Sequence, residues 1–206
     1  MQLTLLATLL LPITVALAMP TSLIAIRETR PRAKIVDMRN WKPSGSGCKS
    51  GTFDAKFSNN YETVTFTFDK YNIEDDSGNK DCELEVRVLV PRRSSKSKPT
   101  RYTLEAFVTH SGEIKLESRE ESARISREYT VKGLKQSPAD VKVDGAQSGK
   151  RTYRIEDKVT LSWPADVEND ETVVYKVKSG LRLDSPRSKD DGYVEEEKVV
   201  FDIGRQ

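Results

Sequence analysis

Few residues in this chain could carry catalysis, and they are scattered. The single histidine, His110, stands in Thr109-His110-Ser111-Gly112. A serine hydrolase needs such a base beside a serine on a strained elbow, with an acid to orient it. No G-x-S-x-G is present, and His110-Ser111-Gly112 reads instead as a turn between two strands. G-x-x-x-x-G-K-[ST], G-x-G-x-x-G and H-E-x-x-H are absent as well. Carboxylates are plentiful, 32 Asp and Glu, and a glycosidase needs only two at a set separation. Asp75-Asp76, Glu120-Glu121 and Glu195-Glu196-Glu197 are sequence neighbours, so on a strand their side chains face opposite ways. They are expected to solvate loops and outer sheet faces. Asp75-Asp76-Ser77-Gly78-Asn79 lacks the spaced ligands and terminal Glu of a calcium loop and reads as a turn. The basic run Arg92–Lys98 has no interleaved aromatics for stacking and reads as an exposed loop, with dibasic Arg92-Arg93 open to proteolysis. The expectation is no catalytic residue, no metal site and no cofactor, with ligand-binding residues left unassigned.

Composition narrows the class. Thirty-four Lys and Arg leave a formal net charge of +2 over 206 residues, which removes the electrostatic case for a nucleic-acid partner. The apolar share is 36% and falls to roughly 32% without the first 18 residues, which suits a thin-cored β domain. Met1–Ala18 carries no charged side chain, is too short to span a bilayer comfortably, and ends in Ala16-Leu17-Ala18. It reads as a signal peptide, residues 1–18, cleaved after Ala18. No other apolar stretch reaches ~18 residues, so the expectation is a secreted, extracellular protein with no membrane contact after signal removal. In an oxidising compartment the only two cysteines, Cys48 and Cys82, are expected to pair. Two thiols and one histidine do not make a zinc shell.

The elements that must position these residues are strands. Residues 19–44 hold Pro20, Pro31 and Pro43 and a basic cluster, and read as a lead-in with a short added strand at 33–38. From Thr52 the pattern turns to period two, clearest in Thr63-Val64-Thr65-Phe66-Thr67-Phe68. Cys82, Leu84, Val86, Val88 and Val90 share one strand face, and Pro91 ends that strand by removing a ladder donor. Cys82 therefore points inward, so a bridge ties the glycine-rich turn Ser44–Gly51 to the sheet. Alternation recurs at Tyr102–Val108, Ile114–Leu116, Tyr129–Val131, Tyr153–Trp163, Val173–Val177, Leu181–Leu183 after a break at Gly180, and Val199–Ile203. No sustained helical stripe is present. Eight to ten short strands at turn spacings near a dozen residues predict an all-β, antiparallel β-sandwich, one domain over residues 45–206.

Gly45-Ser46-Gly47-Cys48 with Gly51-Thr52, then Phe66-Thr67-Phe68-Asp69 with Tyr71, Lys80-Asp81-Cys82-Glu83-Leu84, Val88-Leu89-Val90-Pro91 and Tyr129…Gly133 form an ordered series. That series resembles the domain-of-unknown-function 4360 family (DUF4360), small secreted proteins of fungi and actinobacteria. The resemblance is good over about 45–133 and faint after it, and implies a secreted, β-rich domain with no catalytic residues to carry over. Lys49 stands where members usually have Pro, and Arg92 where a Gly is typical. A second cysteine pair in the C-terminal half has no counterpart.

The functional expectation is a non-catalytic protein that binds at a cell wall, surface or host target, with cell-wall glycan or host protein as partner. From a host-associated fungus it would be an effector candidate. The alternatives are a secreted carbohydrate-active hydrolase using a carboxylate pair, or a structural cell-surface component.

Overall fold

The structure is a computed structural model that describes residues 33–36, 43–49, 51–74, 78–91, 101–145, 149–164, 170–185 and 192–204. The signal peptide with Ala18, Asp75-Asp76 and the basic run at 92–98 lie outside the described residues. Twelve strands are described: β1 (Lys34–Ile35), β2 (Phe53–Phe57), β3 (Thr63–Phe68), β4 (Asn72–Glu74), β5 (Gly78–Val90), β6 (Arg101–Leu116), β7 (Ser122–Val131), β8 (Leu134–Gln136), β9 (Val141–Asp144), β10 (Gly149–Pro164), β11 (Glu171–Asp184) and β12 (Tyr193–Asp202). They form two antiparallel sheets. The first runs β1-β5-β11-β7-β8 with β9 also on β7, and the second runs β10-β6-β12-β3-β2 with β4 also on β12. This is the expected sandwich, with long strands at its centre.

The alternation explains each face. In β3, Val64, Phe66 and Phe68 are buried while Thr63 and Thr65 stay partly exposed and Thr67 is exposed. In β5, Cys82, Leu84, Val86 and Val88 go inward. Fully burying each such apolar side chain contributes about 1.5–3 kcal/mol. The two sheets meet through rings such as Tyr175 of β11 and Phe201 of β12, 5.1 Å apart edge to face. Outer faces are lined by ion pairs, Lys176 with Glu83 at 2.9 Å among them. The β7–β8 hairpin turns through Lys132 and Gly133 at φ 47° and 79°, the left-handed pair that a two-residue hairpin requires and glycine supplies without strain.

Two expected breaks are not there. His110-Ser111-Gly112 is no turn: β6 runs through it, paired to β10 and to β12 on either side. The chain stays extended because Gly112 lets β12 come close; a Cβ there would overlap the Glu195 carbonyl oxygen. Gly180 likewise continues β11, opposite Ser126 of β7 and Asp81 of β5. Of the acidic neighbours expected to be solvated, Glu121 and Glu196 are fully buried. Glu121 accepts backbone N–H bonds from Glu117 at 2.5 Å and Ser118 at 3.1 Å, which close the β6–β7 turn, and a hydroxyl bond at 3.1 Å from Ser185 just after β11. Glu196 turns inward because β12 bulges between Glu196 and Lys198, which shifts its frame by one residue.

Candidate functional site

Cys48 and Cys82 are bridged, with Cα atoms 5.3 Å apart. The turn lies along β5: Ser44 and Glu83 exchange backbone bonds of 3.1 and 2.7 Å, and the Gly47 N–H donates to the Asp81 carbonyl at 2.7 Å. The Ser46 backbone N–H, helped by its hydroxyl and the Lys178 ammonium, holds the Asp81 carboxyl below its ordinary range despite some desolvation. Both cysteines are fully buried, a structural bridge screened from attacking thiolates.

Behind this turn a line of polar side chains crosses the interior. Tyr71 donates to the Ser179 carbonyl at 2.9 Å, and the Ser179 hydroxyl donates to Glu196 Oε2 at 2.6 Å. Glu196 Oε1 lies 2.6 Å from His110 Nδ1, and His110 Nε2 lies 3.0 Å from the Tyr129 hydroxyl. Tyr129 donates to Asp157 Oδ2 at 2.6 Å, where the Arg127 Nε–H also donates at 2.7 Å. Burial, then contact with Asp157, pushes the Tyr129 phenol far up, so it is a donor at all ordinary pH. Its single proton points at Asp157, so the bond from His110 requires an N–H on Nε2. One further proton then lies in the 2.6 Å contact between His110 Nδ1 and Glu196 Oε1. Ser179, Glu196 and His110 have the residue types of a hydrolytic triad, but all three are within 2% of complete burial. Among the described residues no opening leads to them.

At its far end the line reaches the surface. A groove of about 270 Å³ on the first sheet is lined by Ser126, Arg127 and Glu128 of β7, Lys178 of β11, and Ser137, Pro138 and Asp140, with the Arg127 side chain itself buried beneath it. Besides Asp157, the guanidinium donates to the Ile125 carbonyl at 3.3 Å and the Ala139 carbonyl at 2.8 Å. Three of its five N–H donors are thus used. Every charge at the groove has an opposite neighbour: Glu128 with Lys135 at 2.6 Å, Asp140 with Arg124 at 3.8 Å, and Lys178 with Asp81 at 3.7 Å.

The outer face of the second sheet gathers Glu113, Glu195 and Glu197, with one carboxylate oxygen from each within 4.8 Å of the others. These are the residues that could hold a cation. An ammonium already sits there, since Lys150 contacts Glu113 at 2.6 Å, and the Tyr193 hydroxyl donates to the same carboxylate at 3.1 Å. The Lys150 bond holds Glu113 below its ordinary range, while desolvation and then Glu197 and Glu113 push Glu195 up.

Sequence reasoning missed the interior line, although its signal was present. Leu104, Ala106, Val108, Ile114 and Leu116 share one phase in which His110 also falls. Ser179 falls in phase with Val173–Leu183, and Arg127 with Ala123–Val131. A polar residue in phase with an apolar face points into the core. Val194 and Val199 are out of phase with each other, which marks the bulge that buries Glu196.

The chain belongs to the family described as Domain of unknown function (DUF4360), whose model matches residues 35–206. No curated protein matches the sequence. Among solved structures, the chain is similar to a xylan-binding module, CBM15, at 12% identity and TM-score 0.28 over 84% of this chain and 97% of that one. It is similar to a carbohydrate-binding module specific for non-crystalline cellulose, CBM28, at 12% identity and TM-score 0.32 over 79% and 84%. The CBM22-1 xylan-binding domain from Paenibacillus barcinonensis Xyn10C matches at 12% identity and TM-score 0.24 over 84% and 94%. All three are carbohydrate-binding modules, at low identity.

Proposed function

We propose that this member of the DUF4360 family is exported and works as a non-catalytic glycan-binding protein, with the groove above Arg127 as its ligand site. One observation carries the reading: the groove is densely polar yet charge-balanced, each ionised group facing an opposite partner. A ligand with net charge gains little there, whereas sugar hydroxyls both donate and accept and can bond to carboxylate and ammonium at once. Pro138 and the stem of Lys178 supply apolar surface for a sugar face. The burial of His110, Ser179 and Glu196 supports a non-catalytic role. Calorimetric titration of the secreted protein with xylohexaose, cellohexaose and chitohexaose is the test. One of them is expected to bind with Kd between about 1 μM and 1 mM, and Glu128→Gln with Lys178→Ala is expected to weaken it at least tenfold. Binding that ignores both substitutions, or no binding across the set, overturns the reading.

A second reading, a carboxylate-pair glycoside hydrolase, is favoured by the opposed shifts of Glu113 and Glu195 within 4.8 Å. Two carboxyls pushed apart in this way are how a glycosidase separates acid from nucleophile. Reducing-sugar release that Glu195→Gln abolishes would establish it.

A further inference from the structure

We infer that the buried line from Glu196 through His110 and Tyr129 to Asp157 positions the Arg127 guanidinium beneath the groove, where its bond to the Ala139 carbonyl holds the wall segment, so that side chains sealed in the core set the groove's shape. The inference rests on the groove being the ligand site. Its geometric basis is the convergence at Asp157 Oδ2, which accepts from Tyr129 at 2.6 Å and from Arg127 Nε at 2.7 Å. Two donors on one oxygen fix where that oxygen lies, and it in turn fixes the guanidinium edge. The two remaining anchors of Arg127 are backbone carbonyls, Ile125 on its own strand and Ala139 in the segment between β8 and β9. Asp157 is therefore the anchor that ties the groove floor to the opposite sheet.

Upstream, donor direction is determined link by link. With the Tyr129 proton given to Asp157, the 3.0 Å contact to His110 is a hydrogen bond only if Nε2 carries the proton, and the 2.6 Å contact between Nδ1 and Glu196 then needs a second one. Glu196 is itself held by the Ser179 hydroxyl at 2.6 Å and by its own N–H to the Tyr71 carbonyl at 2.9 Å. The line spans both sheets: Tyr129, Arg127 and Ser179 come from the first, and His110, Asp157 and Glu196 from the second. His110, Tyr129 and Glu196 touch no ligand in this arrangement; they are positioning residues. Groups behind a site commonly hold its walls in this way, and losing one costs 10–100-fold at metal centres, where the effect is best measured.

The test uses side-chain 15N NMR on the full secreted protein. His110 is the only histidine in the chain, so its ring nitrogens report without assignment. Nε2 is expected to carry a proton; a bare Nε2 overturns the inference and needs no variant. The Arg127 Nε–H is expected to exchange slowly in the wild type and at least tenfold faster in Tyr129→Phe. Tyr175→Phe removes a buried hydroxyl with no hydrogen-bond partner among the described residues and is expected to leave Arg127 unchanged. Glu196→Gln, whose amide can donate to Nδ1, is expected to leave Arg127 exchange at the wild-type rate. Arg127 exchange that is unmoved in Tyr129→Phe refutes positioning. If it moves as expected while xylohexaose, cellohexaose and chitohexaose all fail to bind the wild type, the positioning line stands and the glycan reading falls.

Discussion

Removing the Glu196 carboxylate is the sharpest perturbation of this fold. Glu196→Ala strips His110 Nδ1 and the Ser179 hydroxyl of their 2.6 Å partners at a site with no solvent access. Breaking a buried pair by deleting one member costs about 3–5 kcal/mol, since the surviving group is left uncompensated. For a chain of this size that corresponds to roughly 6–20 °C in Tm. Glu196→Gln behaves differently. Its amide NH2 donates to a neutral His110 Nδ1 and its carbonyl accepts from Ser179, so both contacts survive and one N–H is left over. The expected cost is about 1–2 kcal/mol, the range for one poorly satisfied buried donor. Urea unfolding of both variants with the disulfide intact, read by tryptophan fluorescence and far-UV circular dichroism together, measures the difference. If the alanine variant loses less than about 1 kcal/mol, or the glutamine variant loses as much as the alanine one, the donor arithmetic in the core is wrong.

Three other outcomes follow from the same geometry. Replacing Cys48 and Cys82 together with alanine opens a loop of sequence separation 34 and should lower unfolding free energy by about 4 kcal/mol in the chain-entropy model; a chemical-denaturation midpoint that does not move would contradict it. Gly112→Ala forces a Cβ against the Glu195 carbonyl oxygen where β6 meets the β12 bulge, so a loss of at least about 2 kcal/mol or failure to fold is expected in a thermal melt. Asp81 has a depressed folded-state pKa, held down first by the Ser46 N–H. Its contribution is therefore present above the unfolded value of about 3.9 and is lost as pH falls through the lower folded value. Asp81→Asn should flatten the fall of stability with acid below about pH 4, measured by Tm against pH.

What the sequence alone determined was local. Period-two alternation in Thr63–Phe68 and Cys82–Val90 dictates strands because successive side chains must face opposite ways, and Pro91 stops β5 because it has no N–H to give. The bridge was legible as well, since Cys82 shares the inward phase of Leu84 and Val86. The interior polar line was not, because membership depends on where several strands place their residues in space. His110 becomes a core residue only once Gly112 lets β12 pack close enough to keep β6 extended. Glu196 goes in while Glu197 stays out because a bulge reverses the frame within a run of three identical side chains; the phase conflict of Val194 and Val199 says that a bulge lies between them, and only the pairing with β6 says where. The groove is later still in this order. It is lined by β7, β11 and the segment after β8, and its charge balance comes from partners on β5, β7 and β8. Burial and pairing are properties of the assembled sheets, so tertiary structure alone decided which of the many charged residues do anything together.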